Sequence, residues 1–366
     1  MSEPIVRFRD VDIVFGDKPE RALPLIDRGR TREEIQDATG QVLGVAGASL
    51  DVLEGEIVVL MGLSGSGKST LLRAANGLNR VIRGETLVHD GQAYVDPSRC
   101  EPDVLRRLRT GRVAMVFQQF GLLPWRTVAE NVGFGLELAG VTAPERQQRV
   151  ARQLELVHLD GWAERRVHEL SGGMQQRVGL ARAFATEAPI LLMDEAFSAL
   201  DPLIRDRLQD ELLDLQAQLR RSIIFVSHDL DEALKIGSKI AIMEGGRVVQ
   251  FGTPQDIVLN PANDYVADFV AHMNPLNVLR AAEVMRPLDA PPPDAGATVR
   301  LGDGGLREGV TAVATPETAL KDLIQARLAT QRPVLIDIDG RIAAIVADTD
   351  LFAALLGQWQ QGGATS

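Results

Sequence analysis

Cysteine is nearly absent from this chain of 366 residues: Cys100 stands alone. A disulfide framework is therefore excluded, a reducing compartment fits, and no Cys/His cluster offers a zinc site. No run approaches the ~18 apolar residues needed to span a bilayer. The opening Met1–Asp10 carries charges where a signal peptide needs an apolar core. Any membrane role is therefore expected to pass through a partner. A surplus of positive charge is also missing. The formal net charge is −11, whereas neutralising nucleic-acid phosphates takes clustered Lys and Arg. No nucleic-acid partner is expected. Aromatics make up 4% of the residues, yet 45% are hydrophobic, ordinary for a soluble globular protein, and 366 residues are enough for one large domain and a smaller one.

What is present is a phosphate-binding loop. Gly62-Leu63-Ser64-Gly65-Ser66-Gly67-Lys68-Ser69-Thr70 has the form GxxxxGK[ST]. It follows the apolar run Ile57–Met61 and precedes the helix-forming Leu71–Ala75. Glycines let backbone N–H groups turn inward around a phosphate chain, the following helix adds the positive end of its dipole, and Lys68 adds a full charge. Alone, the loop specifies a nucleoside triphosphate. Further along, Ile190-Leu-Leu-Met-Asp194-Glu195 reads as a buried strand with two carboxylates at its C-terminal end, where open α/β sheets place ligands. Asp194 there can hold Mg²⁺ beside the Ser69 hydroxyl, and Glu195 can polarise an attacking water. Leu170-Ser171-Gly172-Gly173-Met174 supplies a second turn leading into a helix, and so a second anion site.

Around these motifs, apolar alternation over residues 5–15 predicts antiparallel strands. Residues 18–44 read as a small helical insertion, with Thr31-Arg-Glu-Glu34 as a capping box and Gly40 as a stop. Strands are expected at 48–53, 56–61, 113–117, 190–193, 223–226, 240–243 and 247–250. Helices are expected at 68–77, 144–158, 174–186, 203–219 and 229–236. The fold class is α/β, with a mixed, mainly parallel sheet and an inserted helical subdomain over about 122–170. The pattern breaks around Asn274-Pro275 and the proline stretch 291–293. Two domains are expected, 1–274 and 276–366.

With these motifs in this order, residues 5–255 resemble the ATP-binding cassette (ABC) ATPases. Leu170–Gln175 looks like the family signature, with Met174 where glutamine is commonest. The resemblance implies ATP and Mg²⁺ as cofactors and a head-to-tail dimer. Ser171, Gly172 and Gly173 of one copy would grip the γ-phosphate of the ATP on the other, and Asp201 of Ser198-Ala-Leu-Asp201 would cross the interface. It also implies that Gln118 touches the metal ion or water, that His228 contacts the γ-phosphate and Glu195, and that Phe15 stacks on adenine.

The spacing from Lys68 to Ser171 leaves no room for a long coiled coil, which sets aside chromosome-maintenance relatives. With one cassette and no membrane span, the chain resembles bacterial importer subunits. The 18–44 insertion, Met193–Ile204, Ser227–Ala233 and Asn260–Tyr265 resemble the ATPases of glycine betaine, proline betaine and choline importers. A separate multi-span permease, an external substrate-binding protein and a location at the cytoplasmic face of the membrane are implied. The alternatives are another importer class, or an ABC regulator without transport.

Residues 309–356 resemble one cystathionine-β-synthase-type (CBS) repeat, with helix 316–328, strands 333–338 and 342–346 and helix 350–356. Residues 278–302 form at most a truncated first repeat. Ala347 stands where such repeats often carry a phosphate-contacting Thr, although Asp350 is kept. Residues 276–366 hold eight Lys/Arg against eleven Asp/Glu, so no basic face for anionic lipid is expected there. The segment Phe120–Thr127 is expected to form a groove for a permease helix, with Leu122 and Trp125 as apolar contacts.

Overall fold

The computed structural model describes residues 3–271, 276, 278–288, 298–303 and 306–355. The expected breaks at 274–275 and 291–293 lie outside the described residues. The chain divides into two compact units, 1–229 with 236–253, and 230–235 with 254–366. The division thus falls at 253/254 rather than near 275, and the helix Leu230–Ile236 belongs mostly to the second unit.

In the first unit, β1 (Pro4–Phe15), β2 (Val42–Leu53), β4 (Arg83–His89) and β5 (Tyr94–Val95) form an antiparallel sheet in the order β2-β1-β4-β5. A second sheet runs β10-β9-β3-β8-β7-β6, built from β3 (Ile57–Met61), β6 (Val113–Val116), β7 (Ile190–Asp194), β8 (Ser222–Val226), β9 (Lys239–Glu244) and β10 (Arg247–Gly252). Every residue of β3, β7 and β8 is buried. That is why these strands read as unbroken apolar runs: helices and the other sheet cover both faces. All pairings in this sheet are parallel except that of β10 with β9. One buried cluster joins Val6 and Phe8 of β1, Leu60 of β3, Leu71, Leu72, Leu192 and Ile224. The core therefore lies between the two sheets, directly behind the phosphate loop.

The helix after that loop is shorter than the expected 68–77. It spans Lys68–Leu72 and then tightens, with Ala74 N–H bonded to Leu71 O and Ala75 N–H to Leu72 O. Such three-residue bonding ends a helix early. Gly77, at φ +69°, completes the turn.

The insertion folds as expected. Thr31 and Glu34 form a reciprocal capping box for Arg32–Thr39, and Gly40 ends it at φ +69°. Its Ala22, Ile26 and Ile35 bury against Val14, Leu43 and Ala46. Arg83 ties it to the sheet, reaching the buried Asp12 at 2.5 Å and Asp27 at 2.7 Å. The segment 122–170 is helical, with Val128–Val132, Phe134–Leu138 and Ala143–Leu156 as its helices.

The second unit holds a five-stranded sheet in the order β11-β15-β14-β13-β12. Its strands are β11 (Arg286–Pro287), β12 (Thr298–Arg300), β13 (Thr311–Ala314), β14 (Val334–Ile338) and β15 (Arg341–Val346). The helix Leu320–Thr330 links the parallel pair β13 and β14. Asp339 (φ 52°) and Gly340 (φ 83°) turn β14 into β15, a two-residue hairpin whose left-handed positions suit an Asp-Gly pair. Asp350 accepts a bond from Ala347 N–H at 2.7 Å and lies 3.3 Å from Arg286. Its carboxylate is thus committed to holding the helix Asp348–Leu355 and a neighbouring strand.

Candidate phosphate-binding site

The phosphate loop leaves β3 through Gly62 at φ +140° and enters the helix through Gly67 at φ +104°. A Cβ on Gly62 would lie 2.1 Å from Met243 O, and one on Gly67 would lie 2.5 Å from Gly44 O. Both glycines are thus required by close backbone approach as well as by dihedral. The loop turns Ser66 O outward to Gly246 N–H at 3.1 Å. A peptide's C=O and N–H point opposite ways, so the Gly67 N–H faces inward. Lys68 Nζ donates to Gly62 O at 2.8 Å and Leu63 O at 3.0 Å. Burial pushes the Lys68 ammonium below its ordinary value, and Glu195 and Asp194 oppose that shift. The Ser66 hydroxyl is buried without a hydrogen-bond partner, a costly state unless something else fills the loop.

Asp194 ends β7, fully buried and opposite Val226 of β8. Ser69 Oγ donates to its Oδ1 at 2.6 Å, and Arg73 donates to its Oδ2 at 2.8 Å. Ser69 and Arg73 stand one helical turn apart, which brings both to the same carboxylate. Arg73 is the partner that makes a buried carboxylate tolerable here. Sequence reasoning missed it, although its spacing from Ser69 was a usable signal.

Glu195 adopts φ +49°, an uncommon conformation for a residue with a side chain. The surroundings hold it there. Its N–H donates to Val226 O at 3.1 Å, while its carbonyl accepts from Gln176 Nε2 at 3.2 Å and Ser198 Oγ at 3.0 Å. Gln176, fully buried, also accepts from Ala199 N–H at 3.1 Å. The Glu195 carboxylate then lies 2.9 Å from Gln118 Nε2 and 3.9 Å from His228 Nδ1. The sequence-predicted Ser69, Gln118, Asp194, Glu195 and His228 therefore gather at the ends of β3, β6, β7 and β8. Gln176 was not foreseen, because a second glutamine in a helix carries no periodicity signal.

The signature helix begins earlier than the expected 174. It spans Gly172–Ala185, and Ser171 caps it by accepting from Met174 N–H. Gly172 and Gly173 therefore form its first turn, and a Cβ on Gly173 would sit 3.3 Å from Ala199 O. Asp201 precedes the helix Pro202–Leu219 and is exposed. Phe15 ends β1 with 43% of its surface exposed. Its ring edge and the Thr70 methyl would lie 2.9 Å and 2.8 Å from a Cβ on Gly44. Phe15 also lines a cavity of about 490 Å³ with Arg80, Ile82 and Arg99.

Beyond Gln118, Phe120 (φ 58°) and Gly121 (φ 55°) are held by Arg182 of the signature helix, which donates to both carbonyls at 2.8 and 2.7 Å. A groove of about 320 Å³ opens beside them, lined by Phe117, Leu123, Phe134 and Arg182. Of the two apolar contacts expected for a permease helix, Trp125 is 68% exposed and Leu122 is half-buried.

No group of three or more His, Cys, Asp or Glu able to hold a metal occurs among the described residues. The Ser69–Asp194 pair is instead a two-oxygen donor set of the kind that binds Mg²⁺ together with substrate phosphates. It fits such an ion, with Arg73 balancing the second carboxylate oxygen.

Residues 45–198 match the family model described as ABC transporter. The ATP-binding protein of a glycine betaine/proline betaine transport system from Salmonella typhimurium is 52% identical over 273 residues, which cover 75% of this chain and 67% of that protein. The ATP-binding protein of a trimethylamine N-oxide transport system from Ruegeria pomeroyi is 46% identical over 303 residues, covering 82% of this chain and 88% of that one. Among solved structures, a dimeric ATP-binding cassette in a post-hydrolysis state with ADP and Pi bound matches with a TM-score of 0.58 and 27% identity. That match covers 68% of this chain and 98% of that one.

Proposed function

This chain belongs to the ATP-binding proteins of ABC transporters, and on that premise we propose that it hydrolyses MgATP to energise import of a methylated-amine solute through a separate membrane permease. The observation that carries the hydrolytic part is the placement of the Glu195 carboxylate between Gln118 and His228, one residue beyond the Asp194–Ser69 pair. The triphosphate would lie in Gly62–Thr70, with inward N–H groups and Lys68 meeting its β- and γ-oxygens. Ser69, Asp194 and Gln118 would hold Mg²⁺, which would supply charge neutralisation on the phosphates. Glu195 accepts a proton from the water whose oxygen bonds to the γ-phosphorus as the bond to ADP breaks. His228 orients that carboxylate and the γ-phosphate, and Phe15 stacks on the adenine.

Two copies act together. Ser171–Gly173 of one copy close on the triphosphate held by the other, with Asp201 crossing between them. The closure and reopening of that pair drive the permease, and Gln118 with the 320 Å³ groove transmits the motion. No helix among the described residues is long and apolar enough to cross a membrane. Kinship with transport-system ATP-binding proteins supports a peripheral subunit on the cytoplasmic face. An external binding protein delivers the solute. Kinship supports glycine betaine, proline betaine or choline as that solute. The broader span of the match to the trimethylamine N-oxide protein supports a second reading, in which the solute is that amine oxide. The second unit serves as a CBS-like dimerising or regulatory domain. With Asp350 already committed to Ala347 N–H and Arg286, adenosine-ligand sensing has little chemistry left there.

Copurification tests the transport reading. The tagged chain, extracted from membranes in mild detergent, is expected to bring down a multi-span membrane protein in stoichiometric amount. Recovery as a soluble protein alone would favour a regulator.

A further inference from the structure

We propose that Arg32, supplied by the 18–44 insertion, is a positioning residue for nucleotide binding: it pins the rim of the phosphate loop from outside and adds an unneutralised positive charge behind it. Its two terminal nitrogens donate to the carbonyls of Gly65, at the loop's apex, and of Gly44 on β2. The guanidinium fits there because glycines surround it. A Cβ on Gly67 or on Gly246 would each approach Arg32 Nη2 to 3.3 Å, and one on Gly65 would meet Nη1 at 4.0 Å. Arg32 and Gly246 N–H thus take the outward carbonyls of two successive peptides, Gly65 and Ser66. Planarity of the peptide then keeps the opposite N–H edges turned away from those donors, toward the cradle.

The arm that carries Arg32 is stiff. The capping box fixes the first turn of its helix, Ile35 buries beneath it, and Arg83 clamps the insertion through Asp12 and Asp27. Among the described residues, no carboxylate forms an ion pair with Arg32, and its Nε is buried without a partner. Burial draws the guanidinium below its ordinary value, and the nearby Glu33 opposes this only through space. A half-buried cation without a bonded counter-charge projects its field further than a paired one. A triphosphate in the loop is the group placed to receive that field. The guanidinium donates to carbonyls and touches no substrate, so it acts through the loop.

The inference rests on the ATP reading, and its test separates the two. Full-length Arg32→Met, Arg32→Gln, Arg32→Lys and Lys68→Ala are compared with the parent chain. The readouts are equilibrium binding of MgATP, steady-state phosphate release and the salt dependence of binding. Arg32→Met and Arg32→Gln are expected to raise Kd and KM about tenfold, with kcat within about twofold and a shallower salt dependence. Arg32→Lys keeps the charge and loses the fork, so it should recover part of the affinity. Parent-like Kd in both neutral variants, or a loss of kcat at unchanged KM, would overturn the role. Should Arg32→Met fail to fold, the neutral but hydrogen-bonding Arg32→Gln decides alone. Parent-like ATP binding in Lys68→Ala would instead refute the loop assignment itself. Loss there with no change at Arg32 would refute only the present inference.

Discussion

Gln176→Leu perturbs the catalytic turn without touching any group proposed to meet the nucleotide. The parent side chain makes two bonds, one to Glu195 O at 3.2 Å and one from Ala199 N–H at 3.1 Å. Each is worth ~1 kcal/mol net. After the change, Glu195 O keeps Ser198 Oγ, and Ala199 is an exposed residue with a part-buried N–H within reach of solvent, so no large desolvation penalty is added. The turn therefore loses about 2 kcal/mol. At 1.4 kcal/mol per tenfold, that shifts the balance between held and released Glu195 by roughly thirtyfold. Leucine is branched and somewhat larger than glutamine, so the buried site stays filled with a small repacking. Because Glu195 at φ +49° depends on its neighbours, the released turn relaxes and the carboxylate leaves Gln118. Steady-state phosphate release should show kcat down at least about tenfold, with KM within about threefold of the parent. An unchanged kcat alongside lowered resistance to urea would refute the reasoning, because the bridge would then be packing alone.

Other perturbations read separate parts of the site. Gly62→Ala forces a Cβ to within 2.1 Å of Met243 O at φ +140°, costing about 3 kcal/mol of strain and overlap. Nucleotide titration should show affinity down by roughly a hundredfold, and an affinity within threefold of the parent would contradict the geometry. Phe15→Ala should weaken MgATP binding by ~1–3 kcal/mol through lost stacking, and parent-like binding would remove Phe15 from the adenine site. Glu195→Gln should bind MgATP, accumulate as a dimer in sedimentation velocity and release no phosphate. Parent-like turnover in that variant would exclude the general-base role.

Much of the site was legible because its chemistry is local in sequence. The loop Gly62–Thr70 and the pair Asp194–Glu195 sit at strand ends, and unbroken apolar runs mark those strands. The insertion's helix was likewise legible, since a capping box and a stop glycine lie within one short segment. What escaped was the set of side chains that hold these groups across the fold. Arg32 and Gly65 lie 33 residues apart, and Gln176 and Glu195 lie 19 apart. Periodicity says nothing of such pairings, because each depends on how elements distant in sequence pack, the insertion against the phosphate loop and the signature helix against the end of β7. The helix after the phosphate loop ended early for a similar reason. Ala74 and Ala75 favour helix, yet both are buried in the core between the sheets, and tertiary packing overrides their propensity. The alternation of β1 and the unbroken run of β3 set the two strand types apart, but which strands pair, and so the separation into two sheets, is not written in either pattern.

ATP hydrolysis by this chain is proposed to move a methylated amine across a membrane. The direct measurement is uptake of radiolabelled glycine betaine, and in parallel trimethylamine N-oxide, by proteoliposomes holding the copurified permease complex and its binding protein. MgATP-dependent accumulation of one of these solutes is expected, abolished by Glu195→Gln. Accumulation that persists with Glu195→Gln, or phosphate release that never moves either solute, would contradict it.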